Sequence, residues 1–351
     1  MLRARLFIFS VFFLSAFCLP AASSAEPYRI GVLTDLSGSM AFQGKQTRLG
    51  AELALDDIRK SGGELELFFG DHQLQTLSAL SELQKLSSIN RIQAIYVEFS
   101  HTSVAVVPVA ARQGILTIYS GGAASPLKAG ATVFKTYQDF VGGCRLLGNY
   151  WKSLGIKNPA LLKANLEFAE LCEEGFLEVY PNSIKAAFNP GDEVSTSVAL
   201  LKSKSADAVL NVSFSPDQHR MLKSASSIRY TPLFGSQENG LSEETLQSFP
   251  DAASRMAMFS LPELAPDFLA RIKERDPANT FEAIKPAGLA YLHVKQLYRA
   301  LSKCGGNDKT CASESIASSP AEPQIGFLGF QDRVAQFSQG IYRPGSDEKL
   351  F

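Results

Sequence analysis

The sequence predicts an α/β protein in which parallel strands are joined by crossover helices. From Tyr28 onward, short apolar runs alternate with amphipathic stretches, which is the pattern of such strand–helix units. These units are too many for one small sheet, and 351 residues are enough for two domains. In chain order, the predicted strands are YRIGVLTDL, LELFFGD, AIYVEF, GILTIYS, PALLKA, IKAAFNP, AVLNVSF, TPLFGS and RMAMFSL.

The segments between these strands have helical spacing. After the first strand, QTRLGAELALDDIRKSGG repeats Leu49, Leu53, Ala54 and Ile58 along one helix face, and the glycine pair ends the helix. The same reasoning predicts further helices near residues 75–90, 102–113, 138–154, 166–180, 195–204, 217–228 and 286–303.

The chain has no low-complexity linker, which disfavours two tandem domains on a flexible joint. The candidate breaks are short and lie near residues 137, 263 and 327. Several narrow crossings predict two lobes that share the chain. We assign residues 26–137 plus 264–326 to lobe 1, and residues 138–263 plus 327–351 to lobe 2.

Residues 1–25 are typical of a signal peptide. Arg3 and Arg5 precede an apolar run, Leu6 to Leu19, and small residues follow. A membrane anchor is the rival interpretation, but the run is shorter than the roughly 20 residues that span a bilayer. We therefore expect cleavage near Ala25 and a periplasmic or secreted protein that does not insert into the membrane.

Four cysteines follow this segment, and an even number in an oxidising compartment predicts two disulfides. Of the three possible pairings, Cys304 with Cys311 is the most economical because it encloses a short polar turn. Cys144 would then pair with Cys172. The spacings fit no zinc pattern and the four histidines are dispersed, so we expect no metal.

The composition argues against polyanion binding, and the motifs argue against catalysis. There are 34 basic and 35 acidic residues without a basic cluster, so we expect no nucleic-acid partner. The segment GSMAFQGK departs from a phosphate loop in its spacing, which leaves no sign of a nucleotide cofactor. Ser100 and His101 are adjacent and poorly placed to form a nucleophile–base pair. We expect no enzyme and no cofactor.

Two loops are candidates for ligand contact. The segment SHTS is typical of a helix N-terminus, where Ser100 either only caps the helix or also contacts an anionic ligand oxygen. The segment SGGAAS follows the strand GILTIY and is either a plain turn or a loop that brings backbone N–H groups close to a ligand.

Five segments carry a resemblance to a known family: YRIGVLTDLSGSMAFQGKQTRLGAELALDDI, VEFSHTSVAVVPVAARQGILTIYSGGAASPL, PALLKANLEFAELCEEGF, AVLNVSFSPDQHRMLK and IGFLGFQDRVAQFSQGIYR. Through them the sequence resembles the periplasmic leucine/isoleucine/valine-binding proteins over nearly all of residues 27–345. The resemblance implies a type I periplasmic binding fold: two Rossmann-like α/β lobes with parallel sheets, joined by three crossovers, with a small ligand between them.

The resemblance also implies a set of ligand-binding residues. On the first lobe, the positions that hold the ligand carboxylate match Ser100, Gly121 and Ala123, although alanine replaces a hydroxyl residue at 123. The aromatic residue that covers the ligand matches Gln43. On the second lobe, two tyrosines match Phe168 and Phe214, and the acid that neutralises the ligand ammonium matches Gln237, or Glu238 after a one-residue shift.

The replacement of the ammonium-binding acid by Gln237 changes which class of ligand the site is expected to bind. Burying an ammonium group without a carboxylate partner costs several kcal/mol of free energy. If Gln237 occupies the position, an amide, a urea-like molecule or an apolar or aromatic carboxylate suits the site better than a zwitterionic amino acid.

The resemblance implies an extracytoplasmic solute-binding protein of an ABC importer. It would bind a small amino-acid-like, amide or carboxylate ligand by lobe closure and pass it to a membrane permease. We expect a monomer. The alternative is a ligand-sensing module of the same fold that reports to a receptor.

Overall fold

The computed structural model describes residues 26–279, 284–346 and 348–351; the predicted signal peptide, residues 1–25, lies outside them. The strands are β1 (Tyr28–Thr34), β2 (Leu65–Asp71), β3 (Ala94–Glu98), β4 (Leu116–Ser120), β5 (Val133–Thr136), β6 (Pro159–Ala164), β7 (Ile184–Phe188), β8 (Ala208–Val212), β9 (Leu233–Gln237), β10 (Met256–Ser260), β11 (Phe327–Gln331), β12 (Val334–Phe337) and β13 (Gly340–Tyr342). The helices are α1 (Ala41–Lys60), α2 (Thr76–Ser88), α3 (Ser100–Arg112), α4 (Phe140–Ser153), α5 (Glu167–Val179), α6 (Ser195–Ser203), α7 (Ser215–Ser227), α8 (Glu243–Ser248), α9 (Pro250–Ala253), α10 (Pro266–Arg275), α11 (Lys285–Lys303) and α12 (Lys309–Ala317).

These elements form two sheets, each the centre of one α/β lobe. In the described ranges, the first sheet has seven strands in the order β11-β12-β5-β4-β3-β1-β2, and the second has six in the order β13-β10-β9-β8-β6-β7. Paired strands run parallel, except that β11 is antiparallel to β12 and β13 to β10. Buried apolar clusters join the helices to both sheets. The predicted fold, two lobes with mostly parallel sheets, is confirmed.

The chain passes between the lobes at three places in the part that the structure describes. Residues 137–139 connect β5 to α4, residues 261–265 connect β10 to α10, and residues 338–339 connect β12 to β13. Each connection is short, so the lobes can pivot about it while each keeps its own core.

The assignment of all residues from 327 onward to lobe 2 is wrong for the hairpin β11–β12. This hairpin extends the first sheet because β12 pairs with β5. The reason is packing: Phe327 and Ala335 are buried in a cluster that also holds Leu49 and Phe268 of lobe 1. Of the strands from residue 327 onward, β13 alone belongs to the second sheet, among the residues that the structure describes.

Several elements differ from the sequence prediction. Strand β5 and helices α8, α9, α10 and α12 were not predicted, and α1 begins at Ala41 rather than near residue 46. The early start of α1 depends on Gly44, where a Cβ atom would lie 1.7 Å from the Asp35 carbonyl oxygen. This glycine therefore lets the first turn of α1 pack directly against the loop after β1.

Both predicted disulfides are present. Cys144 of α4 is bonded to Cys172 of α5, with their Cα atoms 5.3 Å apart. Cys304, which follows α11, is bonded to Cys311 of α12, with a Cα separation of 5.7 Å. Each bond therefore joins two helices of the same lobe.

Candidate functional site

A small cavity of about 30 Å³ lies in the cleft between the lobes. It is at the carboxyl ends of the parallel strands, where ligands bind in open α/β sheets. We call it the cleft pocket. Its lining residues are Gln43, Glu98, Phe99, Ser100, Ser120, Gly121, Gly122, Tyr137, Phe140, Phe168, Phe214 and Gln237.

Glu98, the last residue of β3, places a buried carboxyl group in the first-lobe wall of the pocket. Its Oε2 atom accepts hydrogen bonds from the hydroxyls of Thr34 in β1 and Thr47 in α1, the latter at 2.7 Å. Burial raises the pKa of Glu98 to about 7; the two threonine hydroxyls oppose this rise and Asp35 adds to it. The pocket therefore contains an acid that titrates near neutral pH.

Phe99 turns the chain sharply between Glu98 and helix α3. Its φ of 71° and ψ of 137° are unusual for a bulky residue, and a conformation of this kind costs on the order of 1–3 kcal/mol. The turn is held because the Phe99 N–H donates to the Ser120 carbonyl at 2.8 Å, and the Phe99 carbonyl accepts from the Ser103 hydroxyl at 2.7 Å. This turn places the first residues of α3 next to the cleft pocket.

Ser100 lies beside the loop after β4 but does not cap its helix. It is the first residue of α3, Phe99 is in the N-cap position, and the cap prediction is wrong. The Ser100 hydroxyl instead accepts a hydrogen bond from the Ala123 N–H at 3.3 Å. A Cβ atom on Gly121 would lie 2.8 Å from the Ser100 nitrogen, so glycine allows this close approach.

Ala123 is the one predicted site residue that does not line the pocket. It is buried behind the loop, where its carbonyl accepts a hydrogen bond from the Tyr119 hydroxyl at 2.8 Å. Its backbone N–H supports Ser100 from behind. Ala123 thus shapes the first-lobe wall indirectly.

The second-lobe wall is aromatic. Phe168 is the centre of a group of rings, with its centroid 5.1 Å from that of Phe140 and 5.4 Å from that of Phe214. Tyr137 of the first crossing lies 6.1 Å from Phe140. Offset and tilted contacts of this kind are favourable between aromatic rings. The wall suits an apolar or aromatic ligand body.

Gln237, not Glu238, faces the pocket. The Gln237 amide donates to the Ser213 carbonyl at 3.1 Å and accepts from the Gln138 amide at 3.2 Å. Glu238 turns away to an ion pair with Lys285 of α11, at 3.1 Å. Of these two residues, Gln237 lines the cleft pocket and Glu238 does not.

Lys285 is buried, and it explains where Glu238 points. Its Nζ atom donates to the Ser260 hydroxyl at 2.6 Å and the Leu261 carbonyl at 2.7 Å, and it also pairs with Glu263 at 3.1 Å. Burial alone would lower the pKa of Lys285, but Glu238 and Glu263 raise it above its ordinary value. The negative charge of Glu238 is thus compensated within the protein.

The lobes are closed over the pocket, and Glu167 of α5 bridges them. Its Oε1 atom accepts from the backbone N–H groups of Ala124 at 2.8 Å and Ser125 at 3.0 Å, and its Oε2 atom accepts from the Ser125 hydroxyl at 2.9 Å. Partial burial alone would raise the pKa of Glu167, but these hydrogen bonds lower it. Gly122 is also tightly enclosed, because a Cβ atom there would lie 2.5 Å from the Cβ of Phe168.

The comparison with protein-family models identifies the family to which the chain belongs. The family model for periplasmic binding proteins matches residues 27–336. The chain belongs to this family. A search of curated proteins found no match.

Solved structures show the same fold for this periplasmic binding protein. The substrate-binding protein LivJ of a branched-chain amino acid transporter of Streptococcus pneumoniae, in complex with isoleucine, is 20% identical; the match covers 92% of this chain and 98% of that one, with a TM-score of 0.78. The leucine-binding protein LivK of Thermotoga maritima is 16% identical over 92% and 97% of the two chains, with a TM-score of 0.79. An ABC transporter solute-binding protein of R. palustris, in complex with 4-hydroxybenzoate, is 15% identical over 92% and 95%, with a TM-score of 0.78.

The site of this periplasmic binding protein contains residues that the sequence reasoning missed, above all Glu98, Tyr137 and Phe140. An acid in the otherwise apolar strand AIYVEF was the available signal for Glu98. Across the described ranges, no cluster of three or more acidic, histidine or cysteine side chains could hold a metal ion. None of the helices there has the length and apolar character to cross a membrane.

Proposed function

We propose that this periplasmic binding protein captures a small amino-acid-like, amide or carboxylate ligand by closing its two lobes and delivers it to the permease of an ABC importer. The observation that carries the proposal is that six predicted residues, drawn from both lobes, line one cavity. They are Gln43, Ser100, Gly121, Phe168, Phe214 and Gln237.

The arrangement supports binding by closure, without catalysis. The first lobe supplies polar groups, the second supplies an aromatic wall, and a ligand between them would stabilise the closed form. We propose that the protein acts as a monomer after export, with residues 1–25 removed.

The second lobe favours ligands that lack an ammonium group at that end. Gln237 is neutral and its amide is bonded within the protein, while Glu238 is paired with Lys285. An ammonium group near Gln237 would be desolvated without a carboxylate partner. We therefore propose that free leucine, isoleucine and valine bind weakly.

A thermal-shift panel tests the proposal. The purified protein is heated with amino acids, primary amides, urea, amines and aromatic acids, because a ligand at about 100 times its Kd adds about 2.7 kcal/mol of stability. Small-angle scattering with the best compound then reports closure. If no compound shifts the Tm, or if saturation leaves the radius of gyration unchanged, the proposal is wrong.

The Gly122→Ala variant tests whether ligand binding requires closure of the two lobes. The added methyl would meet the Phe168 Cβ atom at 2.5 Å and Phe140 at 2.8 Å, so the closed lobes must move apart. We expect affinity to fall by about tenfold or more. Gly148→Ala is the control, because the three atoms nearest its Cβ atom would all belong to Val179 of the same lobe, the closest at 3.1 Å. Equal affinity of the two variants would contradict closure.

A further inference from the structure

We propose that Glu98 selects the ligand: the first-lobe end of the cleft pocket takes a head group that donates hydrogen bonds, such as an amide, urea or amine, and disfavours a carboxylate. This inference rests on the proposed function and narrows its ligand class. It comes from the contacts of Glu98 and from the charges around the pocket.

Glu98 shares the polar wall with the groups that would hold an anionic head. It is opposite Ser120 in the register of β3 and β4, and it is two residues before Ser100. All three residues line the same small cavity, together with Gly121. A carboxylate at the start of α3 would therefore lie close to a second carboxyl group.

The pocket offers no side-chain cation to compensate two negative charges. Within the part of the chain that the structure describes, its lining residues include no lysine, arginine or histidine. The nearby N-terminus of α3 contributes only a partial positive charge. Two carboxylates that share a buried site repel each other, so one must take up a proton or leave.

Glu98 accepts both threonine hydroxyls at its Oε2 atom, and a second acceptor on this wall is buried without a donor among the described residues. The Oε1 atom of Gln43 is buried without a hydrogen-bond partner, and this side chain is only 1% exposed. A buried acceptor without a donor costs roughly 1–3 kcal/mol, which a donor head group would relieve.

A purely structural role for Glu98 is the competing explanation, because it also links β1, β3 and α1. Glu98→Gln separates the two roles. The amide oxygen can still accept from Thr34 and Thr47, so the link is retained while the negative charge is lost. A structural role alone predicts no change in the ranking of ligands.

The experiment compares two matched series by calorimetry at about pH 8, above the pKa of about 7 that burial gives Glu98. The compounds are benzamide, benzylamine and benzoate, and isovaleramide, isoamylamine and isovalerate. We expect the wild type to bind the amide or amine at least about tenfold more tightly than the acid. In Glu98→Gln, the acid should gain and the amine should lose about tenfold each.

Asp57→Asn is the matched control, because it removes one acid of the same lobe that does not line the cleft pocket. It should leave the ranking unchanged. Tighter binding of the acids by the wild type, or an unchanged ranking in Glu98→Gln, would overturn this inference and leave solute binding intact. If none of the six compounds binds, the inference is also overturned. The thermal-shift panel described above then tests the proposed function separately.

Discussion

Glu98→Gln should remove the pH dependence that this carboxyl group gives to the stability of the free protein. Burial raises the pKa of Glu98 from 4.5 to about 7, against the hydroxyls of Thr34 and Thr47. Between these values, the folded protein holds a proton that the unfolded chain has released. The free energy of unfolding therefore falls as the pH rises through this window. At about 1.36 kcal/mol per pKa unit, the loss is roughly 3 kcal/mol.

Urea unfolding of the ligand-free wild type and Glu98→Gln, from about pH 5 to about pH 8, measures this effect. The groups around Glu98 are the same in both proteins. Burial lowers the pKa of His72 to about 4 and raises the pKa of Tyr96 and of Tyr137 well above 10, so these three stay neutral. Asp35 also faces Glu98 and is unchanged in the variant.

We expect the stability of Glu98→Gln relative to the wild type to increase by roughly 3 kcal/mol across this range. The increase should accumulate steadily up to about pH 7, the folded-state pKa of Glu98, and level off above it. A difference that stays constant within about 0.5 kcal/mol from the acidic to the basic end would refute the reasoning.

Three further predictions concern the closed pocket. Ser100→Ala should weaken binding of the best ligand by roughly 0.5–3 kcal/mol without altering the fold, and calorimetry that shows unchanged affinity would remove this hydroxyl from the site. Glu167→Gln should weaken binding by about 1 kcal/mol and favour the open form in small-angle scattering, whereas Glu178→Gln on the same helix, which breaks an ion pair within one lobe, should do neither. Gln237→Glu should lower the Tm of the free protein at neutral pH, because a carboxylate would face the Ser213 carbonyl in place of an amide donor; an unchanged Tm would contradict this.

The sequence predicted the elements that are long and periodic. Strands such as YRIGVLTDL and helices such as α11 have enough apolar residues at one spacing to be recognised alone. Strand β5 was missed because it has only four residues, one of them Lys135, and depends on pairing with β4 and β12. The hairpin β11–β12 could not be assigned to a lobe from sequence, because its partner strand is about 200 residues away.

The candidate site was predictable where the chain itself specifies the geometry. The glycines after β4 indicated a close backbone approach, and Gly121 makes one. The positive φ of Phe99 could not be predicted, because a bulky residue gives no local signal for that conformation. Glu98 was missed for a related reason: an acid at a strand end is ordinary until its burial and its threonine partners are known.

The Cys144–Cys172 bond has a consequence for the aromatic wall. Phe140 is four residues before Cys144 on α4, and Phe168 is four residues before Cys172 on α5, so each ring lies about one helical turn from the disulfide. The covalent bond therefore fixes the separation of two rings that a ligand would contact. Protein produced in a reducing cytosol, without this bond, should have a looser ring pair, so its ligand affinity would not represent that of the oxidised protein.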